Sequence, residues 1–207
     1  MMVAAIVVVW AAPAAAQNTI SVQITNISKQ IIAPPVVATH TWKVGIFTPG
    51  EAASEELTLL AEDGDGSALV NELMMSAEVL DVAAAGGMLM PGETVVVELE
   101  ARGKYNRVSA VGMLVTTNDA FFGLDTLFLD PSQAVQRTTA WVFDAGTEYN
   151  SESCDYIPGP PCHNPFMRDA DMAEGFVFVH PGLHGEGDVS LMDWNWQNPA
   201  VSIAIVN

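Results

Sequence analysis

The sequence predicts an all-β fold, an antiparallel β-sandwich with short helical insertions, and three features predict it. Seven or eight segments rich in β-branched and aromatic residues carry strand patterning. Gly, Pro and Asn turns separate them. No strand–helix unit repeats, as a parallel α/β sheet would require. At 207 residues and 50% hydrophobic, the chain can bury one sizeable core.

Thr19–Ile27 alternates, with Ile20, Val22 and Ile24 on one face and Ser21, Gln23 and Thr25 on the other, as a half-buried first strand requires. Pro34 and Pro35 break it before a second strand at Val36–His40, and Trp42–Phe47 alternates again up to the Pro49–Gly50 turn. From Glu51 to Glu62 the period lengthens, so that Leu57, Leu60 and Ala61 share a helical face while acids gather at the end the helix dipole favours. Asp63–Gly66 stops that helix, and Leu69–Met75 supplies a second one packed by Leu69, Leu73 and Met74. Both are too short to hold a core alone, so they read as an insertion between strands. Asp63-Gly-Asp-Gly-Ser67 starts like a calcium loop, but position 12 of an EF-hand needs Glu and here is Met74. Met88 and Met90, with Met74 and Met75, read as core filler mixed with Leu and Ala. Further strands follow at Thr94–Leu99, Val108–Thr117, Phe121–Leu129, Gln136–Phe143, Gly175–Val179 and Val201–Val206.

Residues 1–16 carry the short apolar run Val3–Ala12 and then Ala14-Ala-Ala before Gln17, the small-residue pattern of a cleaved signal peptide. The mature domain is expected to span 17–207, secreted or periplasmic at a bacterial cell surface, with no integral membrane segment. Twenty-five acids against seven bases give a net charge of −18, and no two bases are adjacent. That excludes nucleic-acid binding through phosphates and repels anionic membranes, while favouring divalent cations.

The chemistry concentrates in Val135–Cys162. Cys154 and Cys162 flank Asp-Tyr-Ile-Pro-Gly-Pro-Pro and are expected to pair as a structural disulfide in an oxidising compartment. Asp144 and Glu148 end a strand, with Gly146 allowing a tight path between them, and Thr117-Asn-Asp119 ends the strand before. Hard oxygens from two strand ends suit Ca²⁺; the same residues also serve as turn caps.

Pro34-Pro-Val-Val-Ala-Thr-His40, Ala53-Ser-Glu-Glu-Leu57 with Leu60-Ala-Glu62, Thr117-Asn-Asp119, Phe143-Asp-Ala-Gly-Thr-Glu148 and the Cys154–Cys162 loop together give the chain its likeness. It resembles the bacterial branch of the spondin-type (F-spondin N-terminal) domain family over about residues 19–206. The resemblance implies a C2-like sandwich with Ca²⁺ at one end. It casts Asp119 and Asp144 as side-chain ligands, a carbonyl near Ala140 as a third, and Glu148 where the family has Asp. Animal members occur in secreted matrix and cell-adhesion proteins, and their matrix binding does not carry over to so acidic a chain. The expectation is a secreted adhesion or binding module at the cell surface or in the extracellular matrix, its partner an unidentified extracellular protein or carbohydrate.

Two rival readings stand beside it. His180, His184 and Asp188 recur at four-residue steps in a glycine-rich loop, and with His40 they are the donor types of a zinc site, the basis of a metal-dependent hydrolase. A self-associating matrix subunit is the other. No nucleophile elbow and no phosphate loop is present, and the expectation is a protein that is not an enzyme. Trp194 and Trp196 share a face that can stack on a sugar or, more simply, anchor the last turn to the core.

Overall fold

The structure, a computed structural model, describes residues 18–207; the predicted signal peptide lies outside the described residues. Alternation dictates the layers. In β1 (Asn18–Asn26), Ile20, Val22 and Ile24 point into the core, and its two neighbours are β4 (Thr94–Ala101) and β9 (Val201–Val206). On the other side, β2 (Val36–His40) lies between β3 (Val79–Ala84) and β5 (Arg107–Met113), and β5 pairs with β6 (Ala120–Phe128). All pairs are antiparallel, in the order β3-β2-β5-β6-β7-β9-β1-β4, with β8 (Phe178–Val179) added to β7 (Val135–Asp144).

β7 turns the sheet into a sandwich. Its first part, Val135–Ala140, pairs with β9, whereas Trp141–Asp144 pairs with Gly123–Ala120 of β6. One strand therefore serves both layers and crosses between them. The far edges are joined by side chains: Glu100 N donates to Asp81 Oδ2 at 2.9 Å, and the Glu100 carbonyl accepts from Thr39 Oγ1 at 2.6 Å. Inside lie Val37, Leu99, Val108, Phe122, Val142 and Ile203, all buried.

The insertion packs outside. α1 (Glu55–Asp63) is capped by Ser54, whose Oγ accepts from Leu57 N, and it ends at Gly64, left-handed at φ 71°. Leu57, Leu60 and Ala61 of α1 and Leu69 and Leu73 of α2 (Ser67–Met75) cover Val36, Ala38, Val111 and Phe121 on the outward face of β2, β5 and β6. α3 (Leu191–Trp194) is one short turn before β9.

Several expectations change. Trp42–Phe47 is not a strand, because it has no ladder partner; Ile46 N donates instead to Asp125 Oδ1 at 2.9 Å. β3 exists where no strand was expected, as an edge strand whose side chains are only half buried. The Val108–Thr117 strand stops at Met113, since Leu114–Asp119 forms the β5–β6 turn. The four methionines are not core filler: Met74, Met75, Met88 and Met90 are exposed, Met75 to 83%. Trp196 does anchor the last turn, at 6% exposure against the core.

Phe122 is the largest inward side chain of β6, so Phe122→Ala is expected to cost about 3–5 kcal/mol. An unchanged denaturant midpoint would show that the core does not sit between these layers.

Candidate metal centre

The β5–β6 turn and the end of β7 meet at one pole of the sandwich. Ala120 lies opposite Asp144, and Ala145 N donates to the Asp119 carbonyl at 3.2 Å. Both carboxylates are wholly buried. Asp119 Oδ2 accepts from Thr147 N at 2.8 Å, Glu148 N at 3.0 Å and Thr147 Oγ1 at 3.3 Å. Asp144 Oδ1 accepts from Gly146 N at 2.7 Å, and Oδ2 from Asn150 Nδ2 at 2.6 Å. Gly146 is fixed by the path: φ is +70°, and a Cβ would fall 2.3 Å from the Phe176 carbonyl.

Two carboxylate oxygens here are buried with no hydrogen-bond partner, Asp119 Oδ1 and Glu148 Oε2. Glu148 Oε1 accepts from Asp169 N at 3.0 Å. Burial pushes Asp119 up to about 6, and burial together with the charge of Asp119 pushes Asp144 up to about 8. Burial likewise lifts Glu148 to about 8, with Glu62 and Asp119 adding repulsion. Exposed Glu174 repels Asp119 and Asp144 as well. The one guanidinium at this pole, Arg168, is ion-paired to Glu62 and Asp63.

This donor set fits a hard cation in part. Asp119 brings an oxygen without a hydrogen-bond partner among carboxyl groups that repel one another when ionised, an arrangement a divalent ion would compensate. Yet among the described residues no three His, Cys, Asp or Glu side chains form a metal-holding group, so carbonyl and water oxygens must complete any shell. The Ala140 carbonyl is not among them. It accepts from Ala200 N at 3.2 Å, four residues down β7 from Asp144, about 13 Å along an extended strand.

The histidine reading is corrected by the same geometry. His40 faces Arg107 at the start of β5, the opposite end from the β5–β6 turn, and its ring nitrogens lie 2.8 Å from the Thr41 carbonyl and from Ser109 Oγ. His180 Nδ1 accepts from Gly182 N at 3.0 Å, which makes Nε2 the donor to Asn150 Oδ1 at 3.1 Å. Burial, then the charge of His184, lowers His180 to about 3, so it is neutral. The His184 side chain is exposed, and Asp188 Oδ2 accepts from Cys154 N at 3.0 Å. These four residues do not converge.

What the loop contributes instead is backbone. Successive N–H groups of His184, Gly185 and Glu186 all donate to the Glu152 carboxylate, at 2.7 Å for Gly185 and 3.2 Å for Glu186. Gly187 is required there, since a Cβ would sit 2.3 Å from the Glu152 carbonyl. Glu152 was not read from the sequence; the glycine spacing of 182–187 was its one signal, as a nest of amides suited to an anion. Asn150 was missed too, and it joins Asp144 to His180. The Cys154–Cys162 disulfide is formed and follows directly on Glu152.

Fold and site define an antiparallel β-sandwich with an acidic, loop-covered pole. The chain matches no protein-family model, and no curated protein matches it. No helix among the described residues is long and apolar enough to cross a membrane.

Two outcomes follow from this pole. In chelator, Asp119, Asp144 and Glu148 hold their protons more tightly folded than unfolded, so stability is full below the unfolded values near 4 and lost as pH rises through the folded values of about 6 to 8. Thermal melts from pH 5 to pH 8.5 read this, and a rising Tm would contradict it. Glu152→Ala is expected to cost about 3 kcal/mol and to expose the amides of 184–186 to rapid hydrogen exchange, while the β5 amides stay protected.

Proposed function

We propose that this chain is a calcium-stabilised β-sandwich of the spondin type, acting outside the cell as an adhesion or binding module for a protein or carbohydrate. The observation that carries the reading is Asp119 Oδ1, a wholly buried carboxylate oxygen without a hydrogen-bond partner among the described residues, on a group whose charge repels Asp144 and Glu148. Asp119 and Asp144 would hold the ion, with Glu148 at its margin. Bound Ca²⁺ would supply positive charge where repulsion is greatest and so tighten the loops that close the pole.

Those loops present the best surface for a partner. Phe166, Met167 and Met172 are exposed, and Phe166 and Met172 take left-handed backbone, at φ 67° and 71°. The segment is tied to the acidic pole by Phe166 N on Asp63 Oδ1, Arg168 on Glu62 and Asp63, and Asp169 N on Glu148. An ion that orders Glu148 would thereby order the segment carrying the apolar side chains. The disulfide is compatible with an oxidising, extracytoplasmic setting.

The test is thermal unfolding after chelation, with Ca²⁺, Mg²⁺ or Zn²⁺ restored. A site of about 0.3 mM affinity gives about 2 kcal/mol at about 10 mM Ca²⁺, or about 4–8 °C in Tm for this length. The rise is expected for Ca²⁺ above the other ions and is lost in Asp119→Asn and Asp144→Asn. No Ca²⁺ response, or one that survives in both variants, overturns the reading.

A further inference from the structure

The opposite pole carries a site of a different kind. The start of β1, the β4–β5 turn, the end of β6 and the end of β9 form an open cavity of about 520 Å³, lined among others by Arg102, Tyr105, Asn106, Phe128, Leu129 and Asn207. That volume lies within the range of small-molecule sites, roughly 300–1,000 Å³.

The bases gather toward this end of the sandwich, although Glu78, Asp81, Glu100, Asp125 and Asp130 lie there too. Of the seven Lys and Arg residues, five (Lys43, Arg102, Lys104, Arg107 and Arg137) belong to this pole. Lys43 and Lys104 share Glu78, at 3.4 and 3.5 Å. The Arg107 guanidinium lies 4.8 Å from the centre of the Phe128 ring. Arg107 and Arg137 likewise have no ion pair or side-chain hydrogen bond among the described residues, but of the five bases the exposed Arg102 is the one that lines the cavity. Its backbone bridges to Tyr105, but among the described residues its guanidinium has neither an ion pair nor a hydrogen bond, in a chain with 25 acids. Asn106 offers a second unengaged group: its carbonyl accepts from Leu129 N, while its side-chain amide has no partner among the described residues.

The walls are aromatic and aliphatic. Tyr105 is pinned by its hydroxyl on the Ala77 carbonyl at 3.0 Å and by Lys104 over its ring at 4.8 Å. Phe128 is 43% exposed, with Arg107 against it. Two aromatic rings, a planar bidentate donor and a free amide lining one cavity suit a ligand with a carboxylate at one end and a flat apolar body. Inorganic phosphate fits less well, since among the described residues one guanidinium is the only charged donor lining the space.

We propose that this cavity binds a small organic anion, an aromatic carboxylate in class, with the carboxylate on Arg102 and the ring between Tyr105 and Phe128. A guanidinium there repels cations, so the site is independent of the acidic pole and stands whether or not Ca²⁺ binds.

The probes are benzoate, benzamide and inorganic phosphate, titrated into the purified protein and followed by amide chemical shifts. Benzoate is expected to shift Arg102, Gly103, Asn106 and Phe128 saturably, with benzamide at least about tenfold weaker because it lacks the charge. Arg102→Gln should bring benzoate down to the benzamide level with Tm unchanged. Phe128→Ala should weaken benzoate and benzamide alike. Equal binding of benzoate and benzamide by the unaltered protein would overturn the proposal. So would phosphate saturating the same amides more tightly, shifts spread over all the basic residues and erased by moderate salt, or no saturable shift at tens of millimolar.

Discussion

The buried carboxylate is the device on which the non-strand part of this molecule depends. Between β7 and β9 the chain runs through 145–200 with only a two-residue strand and a four-residue helix. Its N–H groups have few ladder partners, and backbone donors taken from water must be satisfied somehow. Acids do this repeatedly. Asp119 receives Thr147 and Glu148, Asp144 receives Gly146, Glu148 receives Asp169, Asp63 receives Phe166, Asp188 receives Cys154, and Glu152 receives three amides in succession. Part of the negative charge that composition alone assigns to solvation is therefore internal scaffolding. Its cost is repulsion wherever two such acids meet, as Asp119 and Asp144 do.

The regular strands were legible because one face of each is buried and side chains alternate at period two. Ile20, Val22 and Ile24 mark the core face of β1 as written. The helices were legible from Leu57, Leu60 and Ala61, all buried on one side. The errors have a common origin in pairing, which is not a local property. Trp42–Phe47 has strand patterning but meets no edge; β3 has weak patterning but finds β2 free on one side. The methionines followed apolar composition, yet Met74 and Met75 fall on the solvent face of α2, opposite Leu69 and Leu73.

At the acidic pole, what could be read was whatever sits at the end of a strand. Asp119 and Asp144 close neighbouring strands, and the structure brings them together. Ala140 shares a face with Asp144 but not a height, because four residues of strand are about 13 Å. The histidine loop was read for its imidazoles, whereas its glycines carry the function: they let consecutive amides turn toward one carboxylate. Glu152 comes from 32 positions upstream of His184 and had no local signal pointing to that contact.

The distance between the Asp119 carboxylates and most of the bases follows from topology. The β5–β6 turn and the β7–β9 connection lie at one end of the sandwich, and the β4–β5 and β6–β7 turns at the other. β5 alone places about 20 Å between them. That exceeds the Debye length of roughly 8 Å at physiological ionic strength, so through solvent neither pole feels much of the other. Arg102 thus keeps its charge available despite a net charge of −18, and the carboxylates around Asp119 have only Arg168 among the bases close by. A molecule built this way satisfies each pole locally: with backbone amides on its carboxylates at the acidic end, and with Glu78 and aromatic rings against its bases at the other.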